Sequence, residues 1–473
     1  MIRTFAKGFW GASLAGLLLT GCEMAPHYAA PAVAKPLAYK EDPAWTAAQP
    51  ADAAPRGAWW RVFASPELDA LEAKVTSANQ DLKAATSRFD EARALARQAQ
   101  AALYPTVDAV GTGGVHRLSQ DVANPLPNRR FDDYALSLDL NYEIDVWGRV
   151  RDLARAGRAR AQASAADLAT VDLSLHAELA IDYFTLRGLD AQQAVLEQTV
   201  AAYAKALDLT QSRFKGGYAA EADVASAQAS LELARTQSAE TRLNRARLEH
   251  AIAVLVGEPA SSFALPPVTL AMAPPAVAPA LPGALLQRRP DIAAAERRVA
   301  AANADIGAAK AAFFPQFTLA GVLGTEATAA GRLFASPAET WSLGPTGALN
   351  LFDGGRRRAL DAQARAAYEE AAAAYRQKVI GAYGQVEDNL AALRLLADED
   401  RSQAAAVEAS ARARAQAERR YNGGYAAYYE VIMAQNIELS ARLQQAQIQA
   451  RRMAADVSLI KALGGGWTAT PAG

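Results

Sequence analysis

Two stretches of this chain, 207 residues apart, read almost alike: Arg213-Phe-Lys-Gly-Gly-Tyr-Ala-Ala-Glu-Ala-Asp-Val-Ala-Ser-Ala-Gln and Arg420-Tyr-Asn-Gly-Gly-Tyr-Ala-Ala-Tyr-Tyr-Glu-Val-Ile-Met-Ala-Gln. A Gly-Gly turn between two very long helical stretches buries little surface alone, so a chain built twice on such a unit demands partner copies. The duplication runs beyond the turn. Gly148-Arg149-Val-Arg151 and Gly355-Arg356-Arg357-Arg358 are again 207 apart, each where a strand-like run gives way to a helical one.

The chain begins with a short basic region (Arg3, Lys7), an apolar run from Phe9 to Leu19, and then Leu19-Thr20-Gly21-Cys22. This is the pattern of a secretion signal with a lipoprotein cleavage site, so residues 1–21 are expected to be a signal peptide. Cys22 is the only cysteine of the chain, which rules out a disulfide within one copy. Its place at the cleavage site implies a thioether-linked lipid, and several acyl chains on one residue anchor a protein far more firmly than one. Glu23 follows where lipoproteins retained in the inner membrane usually carry aspartate; by that resemblance the destination is the outer membrane. Residues 22–58, rich in Ala and Pro, read as a lipidated, extended arm.

Trp59-Trp60 opens the body, and Ser65-Pro66-Glu67 offers an N-cap, a proline at the first helical position and an early acid. One helix is expected from there to Leu103, with Leu68, Leu71, Val75, Leu82 and Phe89 as a narrow apolar seam. From Tyr134 the period changes to two. Tyr134, Leu136, Leu138, Leu140, Tyr142 and Ile144 alternate with Ala135, Ser137, Asp139, Asn141, Glu143 and Asp145, the pattern of a strand with one apolar and one polar face. Its partner is expected at Thr106 to Leu118. Between Gly148 and Gly216 there is no proline and Leu recurs at helical intervals, so one very long helix is expected.

The plan is therefore a first repeat over 59–275, with strands at about 104–118 and 133–146 and a turn at 215–221. A second repeat covers 276–473, with strands at about 315–326 and 341–353 and a turn at 422–428. After the leader no apolar stretch is long enough for a membrane helix. Strands of this length, alternating apolar with polar, suit a membrane β-barrel whose lining is wet, with Ser137, Asp139, Asn141 and Glu143 as candidate lumen residues. Four strands are too few to close one, since such barrels start at about eight. Two copies would supply eight strands and three would supply twelve; the need of Asp139, Glu143 and Asp145 for water favours the larger. The turns lie at the far end of the rods from the strands, where a rim could dock another protein.

Other classes are poorly served. The formal net charge is −1 with both signs interspersed, so nothing marks a nucleic-acid surface, and His27, His116, His176 and His250 have no spacing that builds a metal site. The chain carries no nucleophile motif, phosphate loop or paired carboxylates of recognisable spacing, which argues against an enzyme, and no cofactor beyond the lipid is expected.

Five stretches then carry a family resemblance: Trp59-Trp60, Tyr142-Glu-Ile-Asp-Val-Trp-Gly-Arg149, Arg288-Arg-Pro-Asp-Ile-Ala-Ala-Ala-Glu296, Phe314-Pro315, and Lys461-Ala-Leu-Gly-Gly-Gly-Trp467. Together they resemble the TolC-like outer-membrane efflux factors, in the lipoprotein branch that serves resistance-nodulation-division pumps. The resemblance implies a mainly α fold with a membrane barrel. It implies a homotrimer whose duplicated long-helix hairpins form a periplasmic tube beneath twelve strands, among outer-membrane lipids. It implies efflux of small toxic solutes or drugs from an inner-membrane pump through a periplasmic adaptor, a membrane fusion protein. Gly216, Gly217, Tyr218, Gly423, Gly424 and Tyr425 match the tip turns where adaptor hairpins bind. Asp223, Tyr421, Glu430 and Met433 fall at positions of the periplasmic gate. Met433 stands where relatives often have a second aspartate, and Ala426 where some place an arginine. Protein secretion by a type I exporter, or a periplasmic coiled-coil adaptor lipoprotein, are the rival readings. Duplicated halves with two strand pairs argue against the adaptor.

Overall fold

The computed structural model describes residues 24–34, 36, 39–41, 57–119, 121, 130–268 and 288–465. The expected signal peptide, Cys22, most of the expected arm and Trp467 lie outside the described residues. A short 3-10 turn at Trp59–Phe63 precedes α1 (Pro66–Ala78) and α2 (Gln80–Ala101), followed by β1 (Thr106–Arg117) and β2 (Arg130–Ile144). Then come α3 (Arg149–Lys215), α4 (Glu221–Leu255), α5 (Pro290–Ala311), β3 (Gln316–Ala327), β4 (Glu339–Ala348), α6 (Arg356–Asn422) and α7 (Tyr428–Ala462).

The duplication is nearly residue-perfect. α3 and α6 each have 67 residues, α4 and α7 each 35, and α2 and α5 each 22. It also extends to helix ends that the sequence motif did not mark. Gly257 and Gly464 close α4 and α7 with positive φ, each beside a backbone hydrogen bond that spans six residues, Glu258 N to Ala253 O and Gly465 N to Ile460 O.

The expected single helix from Ser65 to Leu103 is instead two, broken at Asn79, whose ψ is 128°. The cause is competition from its side chain. Asn79 Nδ2 donates to the Leu255 carbonyl at 2.8 Å, and its Oδ1 accepts from the Leu82 amide at 2.9 Å, starting the next helix. Ser65 Oγ caps α1, accepting from the Leu68 amide at 3.3 Å.

Strand limits differ from expectation where prolines intervene. β1 and β3 start at Thr106 and Gln316, just after Pro105 and Pro315, which lack the N–H a ladder needs. Because Ala348 pairs with Gln316, the first residue of β3, β4 stops there rather than running to 353. β2 starts three residues earlier than expected, at Arg130 opposite Arg117.

The molecule divides into two compact units. One, comprising 1–32, 88–165 and 294–376, contains the sheet. In it the chain near Ala25 lies against α5, with Asn303 Nδ2 donating to the Pro26 carbonyl at 2.8 Å and the Tyr28 hydroxyl meeting the Glu296 carboxylate. The other, comprising 33–87, 166–293 and 377–473, has a core of Leu68, Val75, Leu179, Tyr183, Leu186, Ile252, Val457 and Ile460, all essentially inaccessible.

Within the second unit, the fully buried Arg187 is held by Asp190 at 2.7 Å, by Glu67 at 2.5 Å and by the Pro266 carbonyl at 2.8 Å. Arg245 joins the network through Asp190 and the Leu265 carbonyl, both at 2.6 Å. These bonds fasten residues 265–268, after α4, onto α3. Nearby, His176 lies buried between Glu72 (2.5 Å) and Asp172 (3.4 Å) and stacks on Trp60. The two carboxylates raise its pKa to about 9 despite the opposing effect of burial.

Candidate functional site: a two-faced sheet and two tip turns

In the first unit, the four strands pair in sequence order, all antiparallel. Register places Ala109, Leu138, Leu323 and Trp341 in one row on one face, with Val107, Leu140, Gly321 and Leu343 in the next. That face is apolar and open: Leu138 is 50 % exposed, Leu323 64 %, Trp341 76 % and Leu343 63 %. So large a bare apolar surface is unfavourable in water and suits lipid.

The other face carries the predicted lumen residues Ser137, Asp139 and Asn141. Ser137 Oγ donates to Asp139 at 2.7 Å. Asp108 sits directly opposite Asp139 across β1 and β2, a like-charge pair that needs a wet environment. Asp108 escaped the sequence reading because β1 is rich in glycine and only pairing reveals its partner. Glu143 lies on the same face but is not a free carboxylate. Arg149 Nε donates to it at 2.8 Å and Gln316 Nε2 at 2.8 Å, so it pins the strand-to-helix junction. Among the described residues β1 and β4 each pair on one side only, leaving both outer edges of the sheet open.

In the second unit, the two Gly-Gly-Tyr turns have matching backbones. Gly217 and Gly424 have φ of +79° and +77°, a region that costs a side chain dearly. Tyr218 N donates to the Arg213 carbonyl and Tyr425 N to the Arg420 carbonyl, both at 2.8 Å, closing α3 and α6. The first glycine of each pair has a different reason. A Cβ on Gly216 would meet the Tyr218 ring at 3.0 Å, and one on Gly423 would meet the Tyr425 ring at 2.9 Å. The glycines therefore let both tyrosines fold back over their own turns, where they remain 86 % and 81 % exposed.

The predicted gate residues take different parts. Asp223 turns inward on its own turn, accepting from the Ala220 amide at 3.2 Å. Tyr421 packs against Tyr428 at 5.1 Å between ring centres and lies under the Arg213 guanidinium at 4.4 Å. Glu430 accepts from Arg420 Nη1 at 2.9 Å, and Arg420 Nη2 also reaches the Tyr425 carbonyl at 3.3 Å. Glu430 is thus a compensated charge. Met433 shares an exposed stripe of α7 with Tyr429 and Ile437, each four residues apart.

Behind the tips, Arg414 bridges Glu418 and Glu438, and the Tyr203 hydroxyl donates to Asn436 at 3.2 Å. Sequence reasoning missed Arg213 and Arg420. Both open the repeated motif, but neither partner is at a helical spacing: Tyr421, beneath Arg213, belongs to the other repeat, and Glu430 lies across the turn from Arg420.

The arrangement provides a membrane-compatible sheet that one chain cannot close, and a pair of tyrosine-bearing turns latched by cation–π and ionic contacts. The sequence profile described as "Outer membrane efflux protein" matches residues 73–258 and 281–465, one segment in each half. The antibiotic efflux pump outer membrane protein ArpC of Pseudomonas putida is 31 % identical over 466 residues, covering 98 % of this chain and 96 % of that protein. The pyoverdine export outer membrane protein OpmQ of Pseudomonas putida strain KT2440 is 34 % identical over 437 residues, covering 89 % and 91 %. Among solved structures, the outer-membrane channel OprN superposes with a TM-score of 0.87 at 30 % identity, covering 94 % of this chain and all of that one.

Proposed function

The chain belongs to the outer membrane efflux protein family, and on that premise we propose how it works as the outer-membrane channel of a tripartite efflux system. Three copies join their sheets edge to edge into a twelve-stranded barrel. The Leu138–Trp341 face meets lipid, and Asp108, Asp139 and their neighbours line a water-filled passage. Small toxic solutes or drugs pass through it passively, handed on by an inner-membrane resistance-nodulation-division pump and a periplasmic adaptor. The chain is a conduit and not an enzyme, so no residue acts as a catalyst. Tyr218 and Tyr425, with Gly216, Gly217, Gly423 and Gly424 beneath them, form the surface on which the adaptor docks. Asp223, Tyr421, Glu430 and Met433, together with Arg213 and Arg420, set the resting closure. A lipid on Cys22 anchors the mature chain.

One observation carries this reading: the sheet has an exposed apolar face and two open edges. In lipid each unpaired backbone group costs several kcal/mol, so the edges must be closed by other copies. The test is the mass of the detergent-solubilised protein together with its conductance in planar bilayers. A stable trimer that forms channels is expected; a stable monomer overturns the proposal.

A further inference from the structure

We propose that the cleft where the strands meet the long helices is a binding site for the headgroup of an anionic phospholipid, with Arg356 as its principal contact. The starts of β1 and β3 and the ends of β2 and β4 lie at one end of the sheet, because Thr106 pairs with Asn141, Phe317 with Ile144 and Gln316 with Ala348. There the chain exposes Tyr104 (71 %), Leu351 (86 %) and Phe352 (88 %), large apolar groups that border the membrane strands. A cleft of about 530 Å³ opens beside them, lined by Trp147, Phe314, Phe317, Leu360, Arg356 and Arg357. Trp147 stacks on Phe314 at 4.7 Å and donates from Nε1 to the Pro315 carbonyl at 2.8 Å, so the apolar wall is rigid.

The charge balance of this junction selects an anion. Its carboxylates are each committed to one arginine: Glu143 to Arg149, Asp145 to Arg151, and Asp353 to Arg357. Asp353 also accepts from the Gly355 and Arg357 amides, so the first turn of α6 is already capped. Arg356 and Arg358 are left over, both exposed and with no side-chain hydrogen-bond or ionic partner among the described residues. Arg356 lines the cleft, and Arg358, two residues on, adds to the local field rather than to the same contact. An apolar-walled cleft with uncompensated guanidinium charge at a membrane boundary fits a phosphate diester bearing acyl chains.

This inference rests on the sheet's being membrane-embedded, and the test separates the two. The full-length protein is reconstituted in nanodiscs of phosphatidylglycerol and phosphatidylethanolamine in equal parts, and retained lipid is identified by native mass spectrometry. Phosphatidylglycerol is expected to be retained selectively. R356Q/R358Q should reduce that preference about tenfold, since basic residues at an anionic surface contribute on this scale, and R356K/R358K should keep most of it. Both side chains are exposed and unpaired, and circular dichroism with oligomer mass verifies that the variants fold. An unchanged preference in R356Q/R358Q overturns the site. Displacement of the lipid by millimolar inorganic phosphate overturns its assignment to a lipid in favour of the free anion. A protein that never enters the nanodisc overturns the membrane reading of the sheet, and the site with it.

Discussion

The guanidinium of Arg213 lies 4.4 Å from the ring centre of Tyr421, so the last turn of α3 in the first repeat holds the last turn of α6 in the second. A contact of this kind is worth about 1 kcal/mol, enough to shift a closed–open balance about fivefold. Arg213→Ala and Tyr421→Ala are each expected to raise the open probability by that factor in single-channel recordings. Tyr421→Phe, which keeps the ring, should behave as the unaltered protein. Equal effects of the Phe and Ala variants would assign the role to the hydroxyl instead.

Arg420 neutralises Glu430, which changes what a gate experiment should remove. Both side chains are nearly half exposed, so the pair contributes only about 0.5 kcal/mol to stability. Its larger effect is on charge. Arg420→Gln is expected to increase block by divalent cations by uncovering three acids in the proposed trimer, and adding Glu430→Gln should abolish the increase. Divalent block that is the same in all three proteins would exclude Glu430 from the gate.

Substituting Arg187 should be among the most damaging single changes. Arg187→Met leaves Asp190, whose side chain is only 1 % exposed, with Arg245 as its one cationic partner beside the Val268 amide, and it leaves the Pro266 carbonyl unpartnered. A broken buried pair costs about 3–5 kcal/mol. Thermal unfolding should therefore show a much lower midpoint, whereas Arg235→Met, which breaks only an exposed pair, should be nearly neutral.

Asp456 gives the protein a pH dependence of definite sign. It is 2 % exposed, its Oδ2 has no hydrogen-bond partner among the described residues, and burial raises its pKa to about 7, opposed by Arg452. The folded state therefore holds a proton between the ordinary carboxylate pKa and about 7 that the unfolded state releases. The contribution to stability is full below the ordinary pKa and is lost as pH rises toward 7. Asp456→Asn should remove this slope and stabilise the protein at pH 8 by about 4 kcal/mol at most. Parallel stability-against-pH curves for the two proteins would show that Asp456 does not titrate in this window.

The two glycines of a tip should fail in different ways. Gly424→Ala forces a side chain into positive φ at a cost of about 1 kcal/mol, a loss expected in local hydrogen-exchange protection of the turn. Gly423→Ala displaces the Tyr425 ring, so it should weaken cross-linking to an adaptor while leaving turn protection largely intact. Loss of cross-linking with Gly424→Ala alone would place the docking determinant in the backbone and not in the tyrosine.

Much of this molecule could be read before folding, because duplication, a period of two and prolines at strand starts are local signals. The Gly-Gly-Tyr turns, the long α3 and α6, and the polar and apolar faces of β2 all follow from neighbours in the chain and the stereochemistry of each residue. Asn79 lay beyond that reach. Its neighbours favour an unbroken helix, and the Leu255 carbonyl, 176 residues away, adds to the local Leu82 cap the contact that makes the break favourable.

The sequence by itself determined the strands, the long helices and their turns, and that two copies of one plan are joined, since hydrophobic period, turn chemistry and proline act over a few residues. Only the tertiary structure decided which charges are satisfied. It places Arg420 on Glu430, Arg149 on Glu143 and Arg187 among Glu67 and Asp190, while leaving the Arg356 guanidinium without a partner among the described residues. Electrostatic compensation depends on distance in space and on burial, and neither is a function of separation along the chain.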